Sequence, residues 1–237
     1  WAGNSWIVIW TDMNVGDGTL FFCRIRTDES ELSLSKTVVP LPLEGNYPAS
    51  AWNGSEIGLV WQGLNGSQAT LFFALLTADG RLKNGFDPVD ISSTAAGSIP
   101  NRPDVVWTGT VFRVVWYESS SSGTVVRYTI VTEDGIPASP ADLKSGQATM
   151  PVTEGGDGGF HLVWSQGDGT GNDIMYERFD VDGSSLSSDP LNISGNDNHA
   201  RYPATAISGN RLAVVWHEFG EAGKGFINGA ILDIAET

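Results

Sequence analysis

Residues 47–80 read YPASAWNGSEIGLVWQGLNGSQATLFFALLTADG, and this stretch decides the fold. Three runs rich in β-forming and small residues are separated by short polar segments that contain glycine. Asn53-Gly54 is the strongest hairpin signal among these segments, and Asp79-Gly80 ends the third run in a similar way. The stretch therefore predicts three consecutive antiparallel strands joined by tight turns.

The same pattern returns along the whole chain. A β-type run ends in a tryptophan five times, at Trp10, Trp61, Trp116, Trp164 and Trp216. A proline stands 13 residues before each of the last four tryptophans, and an aspartate stands 18 residues after each of the first four. Because two distances stay fixed while the length varies elsewhere, the chain is interpreted as five repeats. Their approximate bounds are 1-43, 44-98, 99-147, 148-199 and 200-237.

Each repeat is predicted to form a four-stranded antiparallel unit. A unit this small cannot bury both faces of its sheet alone, so it must stack on its neighbours. Radial stacking of such units gives a β-propeller, and we therefore predict an all-β, five-bladed propeller in one domain. The first blade would lack its first strand and the last blade its fourth. A β-sandwich is the competing architecture, but it does not predict regular repeats.

The repeat also resembles one found in secreted bacterial β-propellers, myxobacterial ones among them. The resemblance rests on Pro-Ala-x-Ala-Trp-x-Gly, then Val-Val-Trp, then a β-run that closes in Ala-Asp-Gly. It implies an extracellular or cell-surface location and a scaffold or binding role. The incomplete terminal blades add a prediction of self-association through an open blade edge.

Composition and charge exclude several partners. The formal net charge is −15, so binding to nucleic acid is not expected, because phosphate binding needs a basic surface. No apolar run is long enough to cross a bilayer as a helix. The single cysteine, Cys23, excludes an internal disulfide and is expected to be a buried structural thiol.

The loops that lead into the first strand of each repeat are the predicted ligand surface. Tyr47, Arg102, Met150 and Tyr202 each precede a repeat proline, and Arg201 adjoins the last of them. Tyrosine and arginine combine apolar area with a polar tip, which suits contacts with sugars and proteins. We predict ligand binding by Tyr47, Arg102, Tyr202 and Arg201.

Two further groups of side chains are candidates for chemistry. Asp104 and Glu154, in the first strands of different repeats, are carboxylates that could form the acid pair that glycoside hydrolysis needs, but no further motif supports them and no catalytic residue is predicted. Asp168 and Asp173 lie in a glycine-rich turn with oxygen ligands that suit calcium, although the EF-hand spacing is missing.

A ring of polar residues two positions after the strand-end tryptophans has two interpretations. Its members are Asp12, Glu118, Gln166 and Glu218, with Gly63 as the exception. They could hold a cation or a sugar hydroxyl, or they could satisfy backbone N–H groups of the following turn.

Two functions remain open from the sequence. The favoured hypothesis is an extracellular binding or scaffold propeller whose ligand is a carbohydrate or a protein. The alternative is a polysaccharide-active glycoside hydrolase or lyase with acids at the mouth of the channel.

Overall fold

The computed structural model describes residues 1–3, 5–13, 18–26, 37–38, 45–156, 158–195, 199–220 and 224–234. The side chains of residues 26, 37, 38 and 156 are not described. The described residues form strands and turns, with no helix among them. Asp28, the predicted turn residue of the first repeat, lies outside these ranges. The all-β class predicted from the sequence is confirmed.

Among the described residues, eighteen strands follow the predicted order within each repeat. The first strands of repeats two to five are β4 (Asn46–Trp52), β8 (Ile99–Trp107), β12 (Ala148–Gly156) and β16 (His199–Ser208). The tryptophan-bearing second strands are β1 (Ser5–Asp12), β5 (Glu56–Asn65), β9 (Val111–Ser120), β13 (Gly159–Gly167) and β17 (Arg211–Phe219). The third strands are β2 (Thr19–Arg26), β6 (Gln68–Thr77), β10 (Gly123–Thr132), β14 (Asn172–Asp180) and β18 (Gly225–Asp233). The short fourth strands are β3 (Thr37–Val38), β7 (Val89–Asp90), β11 (Ala141–Lys144) and β15 (Leu191–Asn192).

The strands pair as antiparallel meanders. The first sheet has the order β1-β2-β3, the second β4-β5-β6-β7 and the third β11-β10-β9-β8. The strands of the fourth and fifth repeats share one sheet, because Asn172 of β14 pairs in parallel with His199 of β16. Within the described ranges the first repeat has no strand before β1 and the fifth has none after β18.

The chain divides into two compact units. The first comprises residues 1–114 and 129–140, and the second comprises residues 115–128 and 141–237.

In the first unit, the core joins consecutive sheets. Leu20 and Phe22 of β2 pack with Trp61 of β5 and with side chains of β6. In the second unit, Val163 and Tyr176 of the fourth repeat pack with Val214 and Trp216 of the fifth repeat. Burying both sheet faces in this way is what the stacking argument requires of so small a unit.

The strand-end tryptophans contribute to this packing. Trp61 and Trp116 are fully buried, and Trp164 and Trp216 nearly so. Trp10 of the first sheet is only partly buried. The sequence runs end at the tryptophan, but the strands continue for two to four residues beyond it, so each tryptophan lies inside its strand. In the second and fifth repeats this large apolar side chain packs against the preceding repeat.

The Asp-Gly pairs make a three-residue turn between the third strand and the segment that follows it. In the second repeat, Gly80 N–H donates to Thr77 O (2.9 Å) and Thr77 N–H donates to Arg81 O (2.8 Å). Gly80 has a φ of 79°, the left-handed conformation that this turn needs after its type I part. Equivalent bonds recur around Gly135 and Gly183. The turn positions were predicted, but the pairs form three-residue loops and not two-residue ones.

The turn glycine also allows a close contact between repeats. A Cβ atom on Gly80 would lie 2.6 Å from the ring of Phe22, which belongs to the preceding repeat. Gly135 meets Phe86 in the same way, and Gly183 meets Tyr128. Glycine is therefore required at this position by its backbone conformation and by packing.

Candidate functional site

The residue before each repeat proline has an unusual backbone conformation. The φ angles of Tyr47, Arg102, Met150 and Tyr202 are 52°, 46°, 53° and 56°. These are left-handed values, which cost about 1 kcal/mol or more for residues other than glycine. The same strain in four repeats indicates a built feature, and such strain is concentrated at binding and catalytic sites.

A β-bulge accompanies this conformation. The pairing between the first and second strands shifts register between Asn46 and Ala49, and again between Arg201 and Ala204. The fourth repeat has the same shift next to Met150. A proline inside the bulge removes an N–H that the irregular ladder could not have paired. The bulge turns the side chain before the proline outward, and Tyr47 and Tyr202 are 44% and 45% exposed.

Two of the predicted ligand-binding residues meet in the first unit. The guanidinium carbon of Arg102 lies 4.8 Å from the centroid of the Tyr47 ring. This is a cation–π contact between equivalent positions of consecutive repeats. It holds both side chains in a defined arrangement at the start of their strands.

Two of the predicted ligand-binding residues, Arg201 and Tyr202, belong to the second unit, and Arg201 lines a cavity there. The cavity has a volume of about 630 Å³. It is lined by Ser121, Ser122, Gly123, Thr124, Gln147, Thr149, Met150, Asn172 and Arg201. Arg201 donates from Nε (3.2 Å) and Nη2 (3.0 Å) to Asn172 Oδ1, which fixes its guanidinium. Tyr202 follows Arg201 in β16 but is not part of the cavity wall.

Most of this cavity wall was missed by the sequence reasoning. Ser121 and Ser122 form the turn between the second and third strands of the third repeat, and Gly123 and Thr124 begin the third strand. In an antiparallel meander this turn lies at the same end of the sheet as the loop that leads into the first strand. Combining the serine-rich turn with the pre-proline loops would have predicted the wall.

Glu154 stands apart as a partly desolvated carboxyl group. It lies near the end of β12, is half-buried, and accepts a hydrogen bond from Thr205 Oγ1 (3.2 Å). Burial raises the pKa of Glu154 above its ordinary value of 4.5, and the Thr205 hydrogen bond opposes part of this rise. A carboxyl that keeps its proton to higher pH is what general acid catalysis needs.

Asp104, the other carboxylate considered for an acid pair, belongs to the first unit. Asp104 lies in β8 and accepts a hydrogen bond from the N–H of Val105 (3.0 Å). Asp104 and Glu154 belong to different units, each of which is described by itself, so the structure gives no geometry for a pair.

The predicted polar ring has a structural role in two repeats. Trp164 Nε1 donates to Gln166 Oε1 (3.0 Å), and Trp216 Nε1 donates to Glu218 Oε2 (3.2 Å). In these two repeats the residue two positions after the tryptophan therefore accepts a hydrogen bond from the indole. In the second repeat Gly63 has no side chain to accept, and the buried Trp61 Nε1 has no hydrogen-bond partner.

Glu118 departs from this pattern because a cation lies beside it. Arg127 Nη1 lies 3.2 Å from Glu118 Oε2, and Arg127 Nε lies 2.9 Å from Asp142 Oδ1. The buried Trp116 Nε1 is left without a hydrogen-bond partner.

The two aspartates predicted to bind calcium have protein partners. Asp168 Oδ1 accepts from the backbone N–H groups of Thr170 and Gly171, both at 2.8 Å. These bonds lower the pKa of Asp168 to about 2. Asp173 accepts from Asn192 Nδ2 (2.8 Å) and Ser194 Oγ (3.2 Å). In the part of the chain that the structure describes, no group of three or more His, Cys, Asp or Glu side chains could hold a metal ion. Calcium binding stays a prediction.

Comparison with known proteins establishes the fold. No protein-family model matches the sequence, and no curated protein is similar to it. Among solved structures, the chain is similar to the GH43 endo-arabinanase from Bacillus licheniformis, with 18% identity and a TM-score of 0.53. That match covers 97% of this chain and 91% of the arabinanase.

Two other solved structures show the same likeness. The catalytic domain of the Coprinopsis cinerea GH62 α-L-arabinofuranosidase has 12% identity and a TM-score of 0.50, over 83% of this chain and 69% of that domain. A subtype N10 neuraminidase-like protein of influenza A from a little yellow-shouldered bat has 9% identity and a TM-score of 0.53, over 80% of this chain and 59% of that protein. The fold is therefore of the β-propeller type.

These comparisons correct the favoured functional hypothesis. The sequence favoured a binding or scaffold propeller, whereas the similar structures include a GH43 arabinanase and a GH62 arabinofuranosidase. The findings support the hydrolase alternative better. The sequence misled here because its repeat motif specifies strands and turns and contains no catalytic residue.

Proposed function

We propose that this chain is a glycoside hydrolase that acts on a polysaccharide, built as a five-bladed β-propeller. Glu154 is its general acid. The observation that carries the proposal is the environment of this carboxyl group, which is half-buried in β12 and hydrogen-bonded by Thr205 of β16. A general acid must hold a proton until the leaving oxygen takes it, and desolvation favours the protonated form.

The likeness to the arabinanase and the arabinofuranosidase supports this reaction class. Because these two enzymes are named for their action on arabinan and on arabinofuranosides, arabinose-containing polysaccharides are the first substrates to test. The five repeats of the sequence support five blades, with four-stranded sheets in the second and third repeats.

We also propose an extracellular or cell-surface location. The support is the resemblance of the repeat to those of secreted propellers and the size of the substrate, since a polysaccharide is met outside the cell. Among the described residues, no helix is long and apolar enough to cross a membrane.

The experiment compares hydrolysis by the full chain and by Glu154→Gln. Release of reducing ends would be followed on arabinan and on a panel of other plant polysaccharides. We expect the variant to lose about a hundredfold or more in kcat, as removal of a general acid does. Glu133→Gln changes an exposed glutamate in the turn after β10 and should keep full activity. Far-ultraviolet circular dichroism shows whether each variant is folded.

Several outcomes would overturn the proposal. Hydrolysis at the wild-type rate by folded Glu154→Gln would exclude Glu154 as the acid. Binding of a polysaccharide without any product from the wild-type chain would exclude the hydrolase function. Asp104→Asn in the same assay tests whether Asp104 is the second acid, since loss of either acid of a pair should abolish turnover.

A further inference from the structure

The cavity in the second unit differs in charge from the rest of the molecule. Its wall contains four hydroxyl side chains, two amides, one methionine and one glycine. Among the residues that the structure describes, Arg201 is the only charged side chain in the wall, and no Asp or Glu lines it. The chain as a whole has a net charge of −15, whereas the described wall of this cavity carries a single cation. An anionic group is therefore attracted to this site more than to the surface around it.

The guanidinium in this cavity is held in place before any ligand arrives. Two of its donor groups, Nε and Nη2, point to the single oxygen Oδ1 of Asn172. Arginine carries five N–H donors in a planar fork, so this bond leaves others for a ligand. A fixed guanidinium binds a carboxylate with less loss of entropy than a mobile one.

The wall around Arg201 is tightly built. Gly167 N–H donates to Gln147 O (3.2 Å), which joins the loop before β12 to the end of β13. A Cβ atom on Gly167 would lie 3.0 Å from Gln147 Oε1 and 3.2 Å from Asn172 Nδ2, so glycine lets these amides approach. Gln147 and Met150 have left-handed φ angles of 68° and 53°. Hydroxyl and amide groups held in this way match the hydroxyl groups of a sugar ring.

We propose that this cavity binds a sugar unit that bears a carboxylate, a uronic acid within a polysaccharide. Arg201 binds the carboxylate, and the hydroxyl and amide side chains of the wall bind the sugar hydroxyls. This inference deepens the proposed function and rests on it for the claim that the ligand is a polysaccharide. It makes the preferred substrate an acidic polysaccharide and not a neutral one.

The cavity is a subsite separate from the proposed acid. Met150 and Glu154 lie in the same strand, four residues apart. At about 3.3 Å per residue their backbones are separated by about 13 Å. The uronic acid in the cavity is therefore not the sugar that Glu154 protonates. Its contacts add binding energy away from the reacting bond, which enzymes use to position their substrates.

The first experiment measures binding without turnover. Calorimetry would use the Glu154→Gln protein with a trimer of galacturonic acid and with the same trimer after reduction of its carboxyl groups. We expect the acid form to bind about tenfold more tightly or better, because a hydrogen bond to a charged group is lost on reduction. Arg201→Gln should bring both ligands to the same affinity. Arg211→Gln, which changes an exposed arginine at the start of β17, should leave the preference unchanged.

The second experiment locates the ligand. The methyl group of Met150 lies in the cavity wall, whereas Met13 is exposed elsewhere. In a methyl-labelled protein, galacturonate trimer should shift the Met150 signal and leave the Met13 signal in place. Arg201→Lys should retain part of the preference, since it keeps the charge and loses the fork.

Failure of this inference is distinguishable from failure of the proposed function. Equal affinity for the acidic and reduced trimers, or an unchanged preference in Arg201→Gln, overturns the uronic acid site. Neither result depends on whether Glu154 is catalytic. Conversely, a wild-type chain that binds the acidic trimer more tightly but hydrolyses no polysaccharide would support the uronic acid site and would overturn the proposed hydrolase function.

Discussion

Trp216 and Glu218, two residues apart in the same strand, are joined by a hydrogen bond from Nε1 to Oε2 (3.2 Å). Both are nearly inaccessible, and Asn228 of the neighbouring strand donates to the same carboxylate oxygen. The fourth repeat makes the equivalent bond with Gln166. In these two repeats the residue two positions after the tryptophan thus accepts a hydrogen bond from the indole N–H.

This relationship predicts how Glu218 tolerates substitution. Glu218→Gln should keep most of the stability, because Gln166 performs the same role in the fourth repeat. Glu218→Leu leaves the buried indole N–H of Trp216 without an acceptor, and should cost about 1–3 kcal/mol. Urea unfolding of both variants provides the measurement. Equal stability of the two would show that the acceptor contributes nothing.

The turn glycines give a matched pair of substitutions. Gly66→Ala and Gly80→Ala both place alanine at a positive φ, but only Gly80 faces a neighbour, the ring of Phe22. We expect Gly66→Ala to cost about 1 kcal/mol from its backbone alone. Gly80→Ala should cost about 1–3 kcal/mol more, because the ring must move.

A double variant separates the two causes at Gly80. In a Phe22→Ala background the obstacle is gone, so Gly80→Ala should cost no more than Gly66→Ala. Thermal unfolding of the four proteins would measure this. If Gly80→Ala costs as much stability in the Phe22→Ala background as in the wild type, the loss comes entirely from the backbone conformation of Gly80.

At the strained position before each proline, a glycine variant should be more stable than an alanine variant, which is the reverse of the usual order of stability. In an ordinary strand position glycine is less stable than alanine by about 0.5–1 kcal/mol. At Tyr202, whose φ is 56°, alanine pays the left-handed cost and glycine does not, so Tyr202→Gly should be the more stable variant. Ala206→Gly, at an exposed position in the same strand, is the control and should destabilise. Denaturant midpoints that rank Tyr202→Ala first would contradict the strain.

The environment of Glu154 predicts a dependence of stability on pH. Its pKa is raised in the folded chain, so the folded state binds the proton more tightly than the unfolded state. The stability that this provides is fully present below pH 4.5 and is lost as the pH rises through the folded pKa. Glu154→Gln does not titrate, so its stability relative to the wild type should increase over that window and then stay constant.

Thr205→Val sharpens the same test. The hydroxyl of Thr205 lowers the pKa of Glu154, so its removal should raise that pKa further and move the window to higher pH. Urea unfolding across the pH range checks both variants. A stability difference that falls with rising pH would reverse the sign and show that the carboxylate is the favoured form.

Much of the fold could be predicted because its signals are local. Prolines, Asp-Gly pairs and strand-end tryptophans recur at fixed spacing, and each acts within a few residues of its own position. The order of strands and the places of the turns follow from them. Site prediction was weaker: Arg201 was named and lies in a cavity wall, but the wall itself combines turns and strand ends from the third, fourth and fifth repeats.

The sequence by itself determined the repeat, the strand order and the turn positions, since alternation and turn residues act between near neighbours in the chain. Tertiary structure alone decided the left-handed backbone before each proline, the fixed guanidinium of Arg201 and the raised pKa of Glu154. Each of these depends on groups brought together from distant parts of the chain. Arg201 needs Asn172, and Glu154 needs the burial and the hydroxyl that β16 supplies. Desolvation and hydrogen bonding of this kind act through space, and the order of residues does not encode them directly.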